Sequence, residues 1–437
     1  MQRKITTELL AWKNSKDRKP LILNGARQIG KTYSIVEFGK KEFAGMVYIN
    51  LERNEPIREI FDGNISPKAL IPALEANTGQ RIKAGETLIF LDEIQACERA
   101  LTSLKYFCED APEYHVAAAG SLLGVAVAMK HREKYSFPVG KVNEMCLYPL
   151  DFEEFLWAMG REKLAEMIRQ HYENNEAMEP VFHKMALEYL KKYLVIGGMP
   201  AAVKSFAESE SYLEAANAQT DIYNEYIADT AKYADPATSI KIRACYDSIP
   251  AQLAKENHKF QYKMVQKGGT ATIFGVSLEW LKFAGIALKC QKITQGEIPI
   301  AVYQYFPDFK LYMADVGMLT MKSQIPIQML LAENNEANTF LGAFTENYVA
   351  QALTANRKPL FYWTNDNQGE IDFVLQEGVN AVPVEVKRGI NTRSRSLMMF
   401  MKKYNCPYAI RISQKNFGFE NSIKSVPLYA VFCLKFD

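Results

Sequence analysis

No window of about 18 uncharged apolar residues occurs in the chain, so no membrane-spanning helix and no membrane partner are expected. The opening stretch M-Q-R-K-I-T-T-E-L-L-A-W-K-N lacks the apolar core and small-residue cleavage site of a signal peptide, which points to a cytoplasmic protein. Net charge is scarce as well: 52 Lys and Arg against 50 Asp and Glu leave +2, too little for a global field that would draw the chain onto nucleic acid. Any such binding must come from local patches. The seven cysteines (97, 108, 146, 245, 290, 406 and 433) are odd in number, scattered, and form no Cys-x-x-Cys. That pattern argues against structural zinc and for free, mostly buried thiols.

What is present is an ordinary globular composition, 48% hydrophobic and 23% charged, over 437 residues. This length exceeds one hydrophobic core and calls for two or three domains.

The sharpest local signal is L-I-L-N-G-A-R-Q-I-G-K-T, residues 21–32, which fits G-x-x-x-x-G-K-[ST] from Gly25 to Thr32. Leu21–Leu23 read as a buried strand, and Y-S-I-V-E-F-G-K-K after Thr32 has helical spacing. Gly25 and Gly30 allow the backbone to curl so that N–H groups face phosphate, with the helix start adding its positive end. The expected ATP-binding stretch is Gly25, Ala26, Arg27, Gln28, Ile29, Gly30, Lys31, Thr32 and Tyr33. Lys31 would reach the β and γ phosphates, and Thr32 would ligate Mg2+.

T-L-I-F-L-D-E-I-Q, residues 87–95, reads as a second buried strand ending in an acidic pair. Asp92 would hold the magnesium, and Glu93 would orient or deprotonate the attacking water. A further strand is expected at 45–52, and 114–124 reads as a strand leading into a small-residue turn, giving a parallel sheet with the nucleotide at its C-terminal edge. Ser121, at one such strand end, is either a γ-phosphate sensor or a simple turn residue.

G-A-R-Q-I-G-K-T, L-D-E-I-Q, A-G-S and the later P-L-D-F-E-E-F (149–155) together resemble the prokaryotic AAA-type ATPases that carry a C-terminal domain called DUF4143. The resemblance extends over nearly the whole chain and includes F-K-L-Y-M-A-D-V-G (309–317), an element whose purpose the sequence leaves open. Members of the family usually show Gly-Arg shortly before Pro-Leu, where this chain has Gly140-Lys141. A lysine lacks the arginine fork, so a finger or sensor role would pass to Arg132, Arg99 or a neighbouring subunit. A homo-oligomer is therefore an open expectation.

Residues 151–250 are mainly helical in pattern, with a break at G-G-M-P (197–200) and a mostly solvated acidic face in 217–233. Residues 268–290 pattern as a turn, an amphipathic helix with Val276, Leu278, Leu281 and Phe283, and a strand, resembling the recognition helix and wing of a winged helix. Seven lysines in 252–292 could neutralise phosphates there, making DNA a candidate partner; a protein-interaction or lid role fits as well.

Near the C-terminus, E-I-D-F-V-L and V-P-V-E-V-K pattern as a β-hairpin turning at Glu377–Asn380. Residues two apart on a strand share a face, so Glu385 and Lys387 point together, with Asp372 across the hairpin. Glu346, on an amphipathic helix over 339–353, is the third carboxylate. Asp372 and Glu385 could hold Mg2+, Glu346 could assist, and Lys387 could hold or activate water. Alone, the Glu-x-Lys pair would be a solvated strand face. The set is similar to the PD-(D/E)XK phosphodiesterase fold, to which the DUF4143 region also looks related.

The expectation is an α/β protein. An N-terminal P-loop parallel sheet with helices on both faces (1–155) precedes a helical region (156–250), a winged-helix-like segment (251–305) and an α/β restriction-endonuclease-like domain (306–437). Two functions follow: an ATPase that positions a Mg2+-dependent nuclease, or an ATP-dependent switch whose C-terminal domain only binds DNA or a protein.

Overall fold

The computed structural model describes residues 1–120, 138–255, 258–332, 339–365, 369–389 and 395–435. It divides into an N-terminal unit, Arg3–Tyr148 with Phe283–Gly285, and a C-terminal unit, Pro149–Lys282 and Ile286–Asp437 with Met1–Gln2.

In the N-terminal unit, β1 (Leu21–Asn24), β2 (Gly45–Asn50), β3 (Thr87–Asp92), β4 (His115–Ala119) and β5 (Asn143–Cys146) form one sheet in the order β2-β3-β4-β1-β5. Every pairing is parallel. A parallel sheet needs cover on both faces, and the side-chain alternation supplies it. Ile22, Val47, Ile49, Ile89, Leu91, Val116 and Ala118 pack against Ile57 and Phe61 of α3 (Glu55–Asp62), Leu70 and Leu74 of α4 (Pro67–Thr78), and Leu101, Leu104 and Phe107 of α5 (Glu98–Asp110). The opposite parity carries Met46 and Leu88, which crowd Gly39 of α2 (Lys31–Glu42). The loop between β1 and α2 therefore stands beside the end of β3, at the C-terminal edge of the sheet.

The C-terminal unit begins with six helices between Phe152 and Leu253. A four-stranded sheet follows, ordered β7-β6-β8-β9, from β6 (Ala287–Ile293), β7 (Gln304–Met313), β8 (Phe361–Asn365) and β9 (Gly369–Ile371). A five-stranded sheet, ordered β10-β11-β12-β14-β13, is built from β10 (Phe373–Glu377), β11 (Asn380–Val386), β12 (Ala409–Ser413), β13 (Gly418–Glu420) and β14 (Ile423–Pro427). Both sheets mix parallel and antiparallel pairs. The hairpin is present, with Phe373 opposite Val384 and Glu377 opposite Asn380. The border expected at 305/306 falls inside β7, whose partner β6 lies on the other side of it.

On the helix Ala271–Phe283, Leu278 and Leu281 are buried, but Val276 and Phe283 are exposed and Phe274 and Trp280 complete the buried side. Of the seven lysines, three are engaged with carboxylates: Lys259 and Lys292 with Asp308, and Lys282 with Glu279. All seven cysteines are free, and four are buried.

The 309–317 element, whose purpose the sequence left open, locks together with the G-G-M-P break and the P-L-D-F-E-E-F stretch. The Leu150 N–H donates to the Gly198 carbonyl at 2.7 Å, and the Tyr193 hydroxyl to the Leu150 carbonyl at 2.5 Å. Gly198 N–H donates to Asp315 Oδ2 at 2.6 Å, while Asp315 Oδ1 caps the helix Val316–Ser323 through Met318 N–H. Asp151 and Glu154 form a capping box on the helix Phe152–Ala158. Burial raises the Asp315 carboxyl to about 6, against the N–H donors that pull it down.

Candidate nucleotide site and carboxylate pocket

Gly25 sits at φ 147° and Gly30 at φ 89°, and Gln28 also takes a positive φ of 65°. A Cβ on Gly25 would stand 2.4 Å from the Leu147 carbonyl oxygen, so the turn admits only glycine there. Ile29 and Ala26 of the loop are both buried, whereas Tyr33 is half exposed at the head of α2. No side chain caps α2, which leaves its first N–H groups to the loop's concavity. Lys31 Nζ folds onto the loop, donating to the Ala26 carbonyl at 2.7 Å and the Gly25 carbonyl at 3.1 Å. Burial lowers its pKa to about 8, despite the opposing charges of Glu93 and Asp92.

Thr32 Oγ1 lies 3.1 Å from each oxygen of Asp92, across α2 and the end of β3. Tyr48 OH donates to Asp92 Oδ2 at 2.9 Å. Burial pushes the Asp92 carboxyl up, while the Tyr48 and Thr32 hydroxyls pull it back. A hydroxyl and a carboxylate, both hard oxygen donors beside the phosphate loop, fit a magnesium ion. Glu93 follows at φ 51°, a left-handed conformation costly for a glutamate, and Gln95 Nε2 donates to its carboxylate. Neither Tyr48 nor Gln95 was given a role by sequence; Tyr48 reaches the site through the pairing of β2 with β3, and Gln95 through the turn that follows β3.

The arginine candidates are settled in part. Arg99 donates to the backbone carbonyls of Phe61 and Gly63. Lys141 pairs with Glu109 at 2.9 Å, which raises the lysine. Ser121 and Arg132 lie outside the described residues.

In the C-terminal unit, Glu346, Asp372, Glu385 and Lys387 all line one open pocket of about 240 Å³, together with His258, Glu370 and Ser396. Lys387 Nζ is 3.3 Å from Glu385 Oε1, and Arg411 Nε is 3.5 Å from Glu385 Oε2. Asp372, between β9 and β10, accepts from the Val386 N–H at 2.7 Å. Burial, then the charge of Glu346, raises Asp372 to about 7.

Four groups at these carboxylates were given no role by the sequence: His258 and Glu370, which line the pocket, and Lys310 and Tyr312, which touch Glu346. Lys310 of β7 is fully buried, with Nζ 2.7 Å from Glu346 Oε1, in contact with Glu370, and 5.0 Å from the Tyr362 ring centre. Tyr312 OH donates to the same Glu346 oxygen, and His258 Nδ1 meets Oε2 at 2.7 Å. His258 arrives because Lys259 bridges Lys310 antiparallel, laying this segment along β7. Burial works against the charge on Lys310, but Glu346, Glu370 and Asp372 raise it well above its usual value. On Glu346, burial is likewise outweighed by Lys310 and His258, which lower it.

Both oxygens of Glu346 are engaged by protein donors, and Oε1 of Glu370 by Lys310, so Glu346 has no oxygen open to a divalent ion. Among the described residues, no three His, Cys, Asp or Glu side chains are arranged to hold a metal ion. No helix among them is long and apolar enough to cross a membrane.

Residues 17–156 match the family model of an AAA domain. Residues 187–328 and 341–431 match two domains of unknown function, DUF8612 and DUF4143. No curated protein matches the chain significantly. Among solved structures, a Walker-type ATPase of Pyrococcus abyssi is similar at 16% identity and a TM-score of 0.44, over 74% of this chain and 95% of that one. The ORC2 protein of Aeropyrum pernix, in its ADPNP–ADP complexes, is similar at 13% identity and a TM-score of 0.38, over 78% and 94%. The chain thus carries an AAA domain toward its N-terminus and a DUF4143 domain toward its C-terminus.

Proposed function

We propose that the N-terminal unit binds ATP with magnesium and hydrolyses it, and that the nucleotide state switches a C-terminal unit that binds DNA. The observation that carries this reading is the meeting of Lys31, Thr32 and Asp92 at the head of α2, beside a glycine turn that excludes any side chain.

In that reading the loop N–H groups and Lys31 hold the phosphates, exchanging the Gly25 and Ala26 carbonyls for phosphate oxygens. Thr32 and Asp92 would hold magnesium, which supplies charge neutralisation at the β and γ oxygens. Glu93, steadied by Gln95, accepts the proton of the attacking water. Exposed Lys263 and Lys267, beside the helix Ala271–Phe283, support a phosphate-contacting face.

Lys31→Ala tests the first half. Removal of a charge-assisted contact worth about 1.5–3 kcal/mol should weaken ATP binding roughly 10- to 150-fold by calorimetry. A variant that hydrolyses ATP as fast as the wild type would end the assignment.

A nuclease is the second reading, favoured by the convergence of Glu346, Asp372, Glu385 and Lys387 on one pocket. Supercoiled DNA with magnesium or manganese separates the two. Intact plasmid is the expected result, whereas nicking lost in both Asp372→Asn and Lys387→Ala would favour the nuclease.

A further inference from the structure

We infer that the ammonium of Lys310, buried against Glu346 and Glu370 behind the carboxylate pocket, is the resident cation of that cluster and closes it to magnesium. The inference rests on the reading of the C-terminal unit as a domain that binds without cutting, and gives that reading its physical cause.

The first support is burial. An ammonium removed from water is tolerated only when carboxylates face it at contact distance. Lys310 has 0% exposure and meets two of them, Glu346 on the helix Thr339–Ala355 and Glu370 on β9. It joins three elements at one point, as a structural ion does.

Saturation is the second. Glu346 accepts from Lys310 and Tyr312 at Oε1 and faces His258 at Oε2. A metal would have to displace protein donors from both oxygens.

The third is charge. Three cations, Lys310, Lys387 and Arg411, stand against three carboxylates, Glu346, Glu370 and Glu385, with His258 and Asp372 as one further base and acid beside them. A dication would enter a cluster already balanced, and a displaced Lys310 would need a new partner within the interior.

The test uses the full chain without nucleotide, so that the N-terminal unit presents no phosphates to a metal. Mn2+ binding is followed by electron paramagnetic resonance in the wild type, Asp372→Asn and Lys310→Met. The wild type should bind no Mn2+ in this pocket up to millimolar concentration. Lys310→Met, which strips the cation from Glu346 and Glu370, should gain one Mn2+ per chain. Its melting temperature should rise on adding Mn2+ while that of the wild type stays put. Stoichiometric Mn2+ binding by the wild type, lost in Asp372→Asn, would overturn the inference, and it can be read even if Lys310→Met fails to fold. DNA retention in EDTA, measured on the same wild-type sample, reports separately on the binding reading.

Discussion

Glu93→Gln should leave ATP binding near wild type and slow hydrolysis roughly 10²- to 10⁴-fold, the range that a positioned general base contributes. The amide keeps the shape of the side chain and its place after β3, but cannot take a proton from water. Binding should persist because the phosphate-facing groups, the loop N–H groups and Lys31, are untouched. Two features single out Glu93 over its neighbour. Asp92 is buried and already shared between Thr32 and Tyr48, which suits an ion-positioning role. Glu93 is held at φ 51° with its carboxylate accepting from Gln95. Such a conformation persists only where the surroundings over-determine it. Single-turnover hydrolysis and equilibrium binding on the same preparation separate the roles. An equal fall in both would make Glu93 a structural residue.

Gly198→Ala should destabilise the C-terminal unit by about 3 kcal/mol, at the upper end of overpacking costs. The added Cβ would lie 1.9 Å from the Leu150 carbonyl oxygen and 2.8 Å from its carbon. These are backbone atoms, and the same two residues share a 2.7 Å hydrogen bond, so neither can retreat without breaking it. Gly198 N–H is also spent on Asp315. Gly160→Ala is the control: nothing lies within 4 Å of its Cβ, and only the φ of 65° is costly, at about 1–2 kcal/mol. Thermal unfolding should show a drop of roughly 5–10 °C for Gly198→Ala and clearly less for Gly160→Ala. Equal drops would mean that the close approach at Leu150 relaxes freely.

The candidate nucleotide site was legible because its parts are local. Eight consecutive residues, Gly25 to Thr32, build a cradle from their own backbone, and glycine placement announces the turn. Asp92 and Glu93 were readable as the end of an apolar strand, since β3 is buried throughout. The hairpin at Glu377–Asn380 and the helix carrying Glu346 followed from periodicity in the same way. Of the stretch read as winged-helix-like, the helix is present, but its buried side runs through Phe274, Leu278 and Leu281 rather than Val276 and Phe283.

By itself, the sequence determined where a phosphate loop, an acidic strand end and a carboxylate hairpin stand along the chain. Only the tertiary structure decided what the hairpin's acids face. Lys310 lies between Phe309 and Leu311 in an element whose purpose the sequence left open, on the buried half of β7, and His258 comes from a segment 88 residues before Glu346. Periodicity tells which side chains turn inward; which charges then meet depends on elements far apart in sequence. A buried ammonium takes its partners from whatever the packing brings within about 3 Å, and here packing brought Glu346 and Glu370.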